Sequence, residues 1–134
     1  GPTGATVGLG KSAHIHELGD NVAIARGDGW TKQRLTKWRS DSSEEFGTAF
    51  VEATGKAQQI KFNLKGVNVR RAWLEAGNLD PVTARNRGLV TEWELRQVVA
   101  NRSLLNKTSF QLDDRVIHGS NYDEVYDFLA ELMK

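Results

Sequence analysis

The alternation of apolar and polar residues is clearest from Gln59 to Leu64. Ile60, Phe62 and Leu64 point one way there, and Lys61 and Asn63 the other. A period of two predicts a strand, and Gly66 ends it. Thr108 to Leu112 repeats the pattern with Phe110 and Leu112 inward. Asp113-Asp114 turns the chain, and Arg115 to Ile117 returns as the hairpin partner. A fainter alternation, Val22 and Ile24 within Asn21 to Arg26, predicts a short strand closed by Gly27-Asp28-Gly29.

Helical spacing fills most of the rest. Ser43 opens a helix with Glu44 and Glu45 at its positive end; Phe46, Ala49, Phe50 and Ala53 share one face. Gly55 stops it. Asn68 caps a short helix through Trp73 and Leu74, closed by Gly77. Thr91 to Lys107 reads as the longest helix, striped by Leu95, Val98, Val99 and Arg102. Asn121 starts a last helix with Tyr122, Val125, Tyr126, Leu129 and Leu132 on one face. Thr31 to Arg39 reads as a short basic helix, and Asn78 to Gly88, with Pro81, as a loop. The glycine-rich residues 1–12 read as a flexible lead-in, and residues 13–134 as one domain. Short strands at unequal spacing among helices predict an α+β fold. Its sheet is expected to be small and mainly antiparallel, packed with several helices.

Composition narrows the chemistry. The chain has 134 residues, enough for one core. It contains no Cys, which excludes disulfides, thiol nucleophiles and thiolate metal sites. Three His residues argue against a His-rich metal site. No apolar run approaches the roughly 18 residues of a membrane span. The net charge of +1 hides an asymmetry. Arg26 to Arg71 holds ten basic against five acidic residues, and Asp113 to the end holds six acidic against two basic. A basic middle is suited to phosphates.

Candidate proton-transfer groups are few. His14 and His16 lie two apart, and His118 precedes Gly119-Ser120 at the rim of the hairpin. Metal-free RNA cleavage needs a base for the 2′-OH, an acid for the 5′-oxygen and a cation near the phosphate. Imidazole suits both proton roles. Arg26 and Lys32 are the cations assigned to the phosphate. Glu92-Trp93-Glu94 resembles the Glu-x-Glu of ADP-ribosyltransferases, whose order of Arg, Ser and Glu is matched here by Arg26, Ser42 and Glu94. The competing explanation is a capping box, Thr91-x-x-Glu94, closing the start of a helix. Gly8-Leu9-Gly10-Lys11-Ser12 resembles the tail of a phosphate loop but lacks its first Gly and reads as linker. Trp30 and Trp38 flank basic residues and read as core or as stacking platforms.

Three stretches carry a wider resemblance: SSEEFGTAFVEATG, then QQIKFNLKGVNV, then VTEWELRQVVANRSLLNKTSFQL followed by DDRVI. Over about residues 40 to 117 they resemble the C-terminal toxin domains of bacterial polymorphic toxins of the Rhs and contact-dependent-inhibition types. The chain departs from that pattern in lacking a Pro-Trp after its last strand and ending in an acidic helix. The resemblance implies a delivered effector, acting in the cytoplasm of a target cell and neutralised in its producer by a cognate immunity protein. It leaves the reaction open.

These observations combine into one leading expectation: a metal-independent ribonuclease toxin, acting on RNA such as tRNA as a monomer without a cofactor. His16, Arg26, Lys32, His118 and Glu94 are its candidate catalytic residues. The alternatives are ADP-ribosyl transfer from NAD through Arg26, Ser42 and Glu94, and a non-enzymatic binding module.

Overall fold

The computed structural model describes residues 6–19, 22–24 and 43–134, with the backbone alone at 23–24 and 43–46. Strand β1 is Thr6–Leu9 and β2 is Ala23–Ile24; a 3-10 turn at Ile15–Leu18 lies between them. Helix α1 (Ser43–Lys56) precedes β3 (Gln59–Asn63). Then come α2 (Val69–Leu74), α3 (Pro81–Asn86), α4 (Val90–Ala100) and α5 (Arg102–Leu105). The chain ends with β4 (Thr108–Leu112), β5 (Arg115–His118) and α6 (Tyr122–Leu132).

The strands form one sheet in the order β2-β1-β3-β4-β5. The expected small sheet with several helices is present. Its pairing differs: β1–β2, β1–β3 and β3–β4 are parallel, and only β4–β5 is antiparallel. The hairpin was legible because a two-residue turn can only reverse the chain. Asp113 makes that turn with φ 53°, a left-handed conformation that Asp tolerates. The connection from β3 to β4 is long and helical, as a parallel crossover requires.

Registered pairing puts Val7, Ile60, Thr108 and, one step on, Leu9, Phe62, Phe110 and Ile117 on one face. All of these are buried. Phe62 and Phe110 stack with ring centroids 5.9 Å apart. The helices cover this face. Phe50 of α1 meets Trp93 of α4 edge-on at 5.4 Å, an aromatic geometry worth about 1 kcal/mol beyond the area it buries. Val125, Phe128 and Leu129 of α6 are buried, whereas Tyr126, expected on that face, is exposed.

The lead-in expectation for residues 1–12 is overturned at 6–9, which form a central strand with Val7 and Leu9 in the core. Gly8 hides this strand from sequence patterning and also explains it. A Cβ there would come 2.4 Å from Val22 Cγ1 and 3.1 Å from Leu18 Cδ1. Ile15, Leu18 and Val22 form a small second cluster, and Leu18 and Val22 close over the strand at Gly8 because it has no side chain.

Two further expectations change. The predicted long helix breaks at Asn101, whose backbone is extended and whose side chain accepts from Leu104 N–H to cap α5. The predicted loop at 78–88 contains α3. Asp80 caps it by accepting from Thr83 N–H at 2.8 Å, and Pro81 fills the first turn. The Arg96 guanidinium donates to the Ala72 and Trp73 carbonyls and stacks on the Trp73 ring, tying α4 to the end of α2.

Candidate active site

The strand order reverses direction at β1: the chain leaves it toward β2 on one side and later adds β3 on the other. In sheets with parallel strands, the carboxyl ends on either side of such a reversal splay apart and leave a crevice. Here Gly10-Lys11 after β1 and Asn63 to Gly66 after β3 meet at that edge, packed closely enough that a Cβ on Gly10 would lie 3.0 Å from the Asn63 carbonyl; a crevice at this point is what the topology favours.

Lys11 crosses it. Its ammonium donates to Glu92 Oε1 at 2.7 Å, and the Glu92 side chain is only 2% exposed. The other oxygen, Oε2, accepts the Asn68 backbone N–H at 2.8 Å. Glu92 therefore ties three elements together: the end of β1, the entry to α2, and α4 on which it stands. A buried carboxylate is tolerable here because a cation and an amide both engage it.

Glu94, two residues on, is also buried and has no hydrogen-bond donor among the described residues. Burial pushes its carboxyl up to about 8; Lys11 opposes that rise and Glu92 adds to it. A carboxyl poised there exchanges a proton near neutral pH, as general acids and bases do. The capping-box explanation for Glu94 does not hold. Helix α4 begins at Val90 with Leu89 as its cap and no side-chain cap bond, and Glu94 points into the protein instead.

Asn63 organises the rim. It is buried, donates to the His14 carbonyl at 2.9 Å and accepts the Lys65 N–H at 3.0 Å. This clamps the segment after β1 to the end of β3. Gly66 has φ +77°, and a Cβ there would press on the His14 ring at 3.1 Å. The His14 imidazole lies 3.1 Å from Glu17 Oε2, and Lys65 Nζ lies 3.8 Å from Glu17 Oε1. These half-exposed pairs shape the mouth of the crevice and contribute little stability.

The expected site residues scatter around this centre. Glu94 is in it. His16 is exposed on the 3-10 turn. His118 is exposed at the end of β5. Because β5 runs against its neighbours, His118 stands at the opposite, amino edge of the sheet, paired with Ser109. No contact among the described residues joins His16 to His118, so the expected acid–base pair is not assembled. Arg26, Lys32 and Ser42 lie outside the described residues, as do Trp30 and Trp38. Arg26 follows β2 by two positions.

Sequence reasoning missed Lys11, Asn63, Asn68 and Glu92. A usable signal existed for the first: Val7 and Leu9 alternate immediately ahead of Gly10-Lys11. Among the described residues no group of three His, Asp or Glu side chains is arranged to hold a metal ion.

Searches of protein-family models, curated proteins and solved structures found no match to this chain. The functional reading therefore rests on the residues themselves.

Proposed function

We infer that this chain is a delivered toxin domain that cleaves RNA such as tRNA without a metal, using the carboxyl-edge crevice rather than a histidine pair. The observation that carries the reading is the Glu94 carboxyl, held near 8 by burial beside Lys11 and Glu92. In its ionised form Glu94 takes the proton of a ribose 2′-OH. The 2′-oxygen then attacks phosphorus, the bond from phosphorus to the 5′-oxygen breaks, and that oxygen leaves with a proton drawn from water. A 2′,3′-cyclic phosphate remains. In this reading Lys11 neutralises the charge that builds on the phosphate. The basic stretch that begins at Arg26 supplies further phosphate contacts in the same reading. Its cellular setting follows the resemblance to polymorphic toxins: delivery as part of a larger protein and neutralisation by a cognate immunity protein. No helix among the described residues is long and apolar enough to cross a membrane.

The test is cleavage of total tRNA by the purified chain in EDTA, comparing wild type with Glu94→Gln. Wild type cleaves and the variant loses roughly a hundredfold or more of the rate. Intact tRNA at high enzyme sinks the reading.

A second reading is favoured by the crevice itself. Reversal points of parallel sheets bind dinucleotides, and a buried Glu beside a ribose is suited to breaking the nicotinamide bond of NAD. NAD consumption with tRNA left intact, abolished in Glu94→Gln, would select it over RNA cleavage. A chain inert in both assays and harmless on expression would be a binding module.

A further inference from the structure

The opposite edge of the sheet holds a second feature, which does not depend on the RNA-cleavage reading. A cavity of about 500 Å³ opens at the amino ends of β1, β3 and β4, beside the end of β5. That volume is in the range of small-molecule sites. Its wall is unusual in composition: among the described residues it includes Lys107 and His118, several hydroxyls and side-chain amides, and no carboxylate.

Three of these groups have unused hydrogen-bonding capacity. Ser109 is 8% exposed, and its hydroxyl has no partner among the described residues. A buried hydroxyl left unbonded in an otherwise dry site costs about 1–3 kcal/mol, so this one has capacity to meet a ligand or water. Ser109 and His118 are cross-strand partners, so their side chains emerge on the same face of the β4–β5 hairpin. The His118 imidazole is exposed and makes no bond among the described residues. Lys107 is held from behind: its ammonium donates to the Ala57 carbonyl at 2.7 Å and the Gly55 carbonyl at 3.2 Å, at the end of α1. An ammonium has three protons, so one remains for the cavity. Gln59 and Ser120 add neutral donors and acceptors at the wall.

We propose that this amino-edge cavity binds a sugar phosphate, with Lys107 and His118 on the phosphate and Ser109, Ser120 and Gln59 on the sugar hydroxyls. The Lys107 ammonium and an imidazole N–H, with no carboxylate among the described wall residues, suit an anion. Hydroxyls and amides, with no aromatic ring among the described wall residues, suit a sugar rather than a base. The same chemistry is presented by a free sugar phosphate and by the phosphorylated 5′-end of an RNA.

Amide chemical shifts of the full chain test it, with ribose 5-phosphate and a short 5′-phosphorylated RNA as probes and ribose and inorganic phosphate as controls. Saturable shifts at Gln59, Ser109 and Ser120 are expected with at least one probe. Each control should bind more weakly than ribose 5-phosphate. His118→Ala, at an exposed position that leaves the core intact, should weaken probe binding by about tenfold, as expected for a lost charge-assisted bond. Tighter binding of the RNA would identify a nucleic-acid end as the source, and tighter binding of ribose 5-phosphate a free metabolite; either supports the proposal. No shift with either probe, shifts at Gly10 and Gly66 instead, equal binding of inorganic phosphate, or unchanged affinity in His118→Ala would overturn it.

Discussion

The two edges of one small sheet present opposite solutions to placing polar groups at strand ends. At the carboxyl edge, carboxylates are driven inside: Glu92 is tied to Lys11 and to a backbone amide, and Glu94 has no donor among the described residues. At the amino edge, the described residues of the cavity wall include no carboxylate, and their polar groups keep unspent hydrogen-bonding capacity. The first arrangement stores a cost in the protein and perturbs a proton equilibrium. The second leaves donors open to an incoming anion. Perturbation marks a place suited to chemistry, and unspent donors mark a place suited to binding.

The sharpest way to break this contrast is at Glu94. Glu94→Gln should cost RNA cleavage about 10²- to 10⁴-fold, read as initial rates on tRNA. The wild-type rate should climb with pH, be half-maximal near 8 and level off about a unit above it, because the working form is the ionised one. A wild-type profile already flat between pH 6 and 9 would remove Glu94 from the chemistry.

Stability should respond in the opposite sense. The folded-state value for Glu94 lies above the ordinary carboxylate value of 4.5. Its contribution is therefore fully present below that ordinary value and is lost as pH rises through about 8. Wild type should lose a few kcal/mol of unfolding free energy over that window, and Glu94→Gln should lose less. Parallel urea curves at pH 5 and pH 9 decide it; equal pH slopes for the two proteins would count against a strained carboxyl.

Lys11→Met should destabilise by about 3 kcal/mol, because it leaves Glu92 buried with only the Asn68 amide. The double variant with Glu92→Gln should recover much of that loss. An unchanged urea midpoint in the single variant would show that the pair does not hold the edge together. The smallest effect belongs to the amino edge: His118→Ala should shift stability by no more than about 0.5 kcal/mol. A shift in its urea midpoint as large as that of Lys11→Met would erase the division between the two edges.

Legibility in the sequence followed side-chain volume. Strands β3, β4 and β5 were readable because bulky residues alternate with polar ones in each. The starts of α2 and α6 were readable from Asn68 and Asn121, whose side chains do accept N–H bonds from the first turn. Strand β1 was not, because Gly8 and Gly10 carry no side chain and so erase half of its alternation. Parallel pairing was hidden for a related reason. Lys61 and Asn63 give β3 the look of a half-solvated antiparallel strand, yet Asn63 is buried by its bonds to the segment after β1. Within the site, Thr91-x-x-Glu94 reads equally as a cap or as a buried carboxyl. Only the start of α4 at Val90 separates the two.

The Lys11–Glu92 bond joins positions 81 apart in the chain. Strand β1 has no partner on its β3 side until residue 59 and no Glu92 until α4 is made. The loop-closure entropy of that contact is met late, after most local helices can already form. Nascent fragments ending before α4 therefore carry the lysine without its carboxylates. A cell making this chain would meet the assembled proton-transfer centre only after α4 has been made.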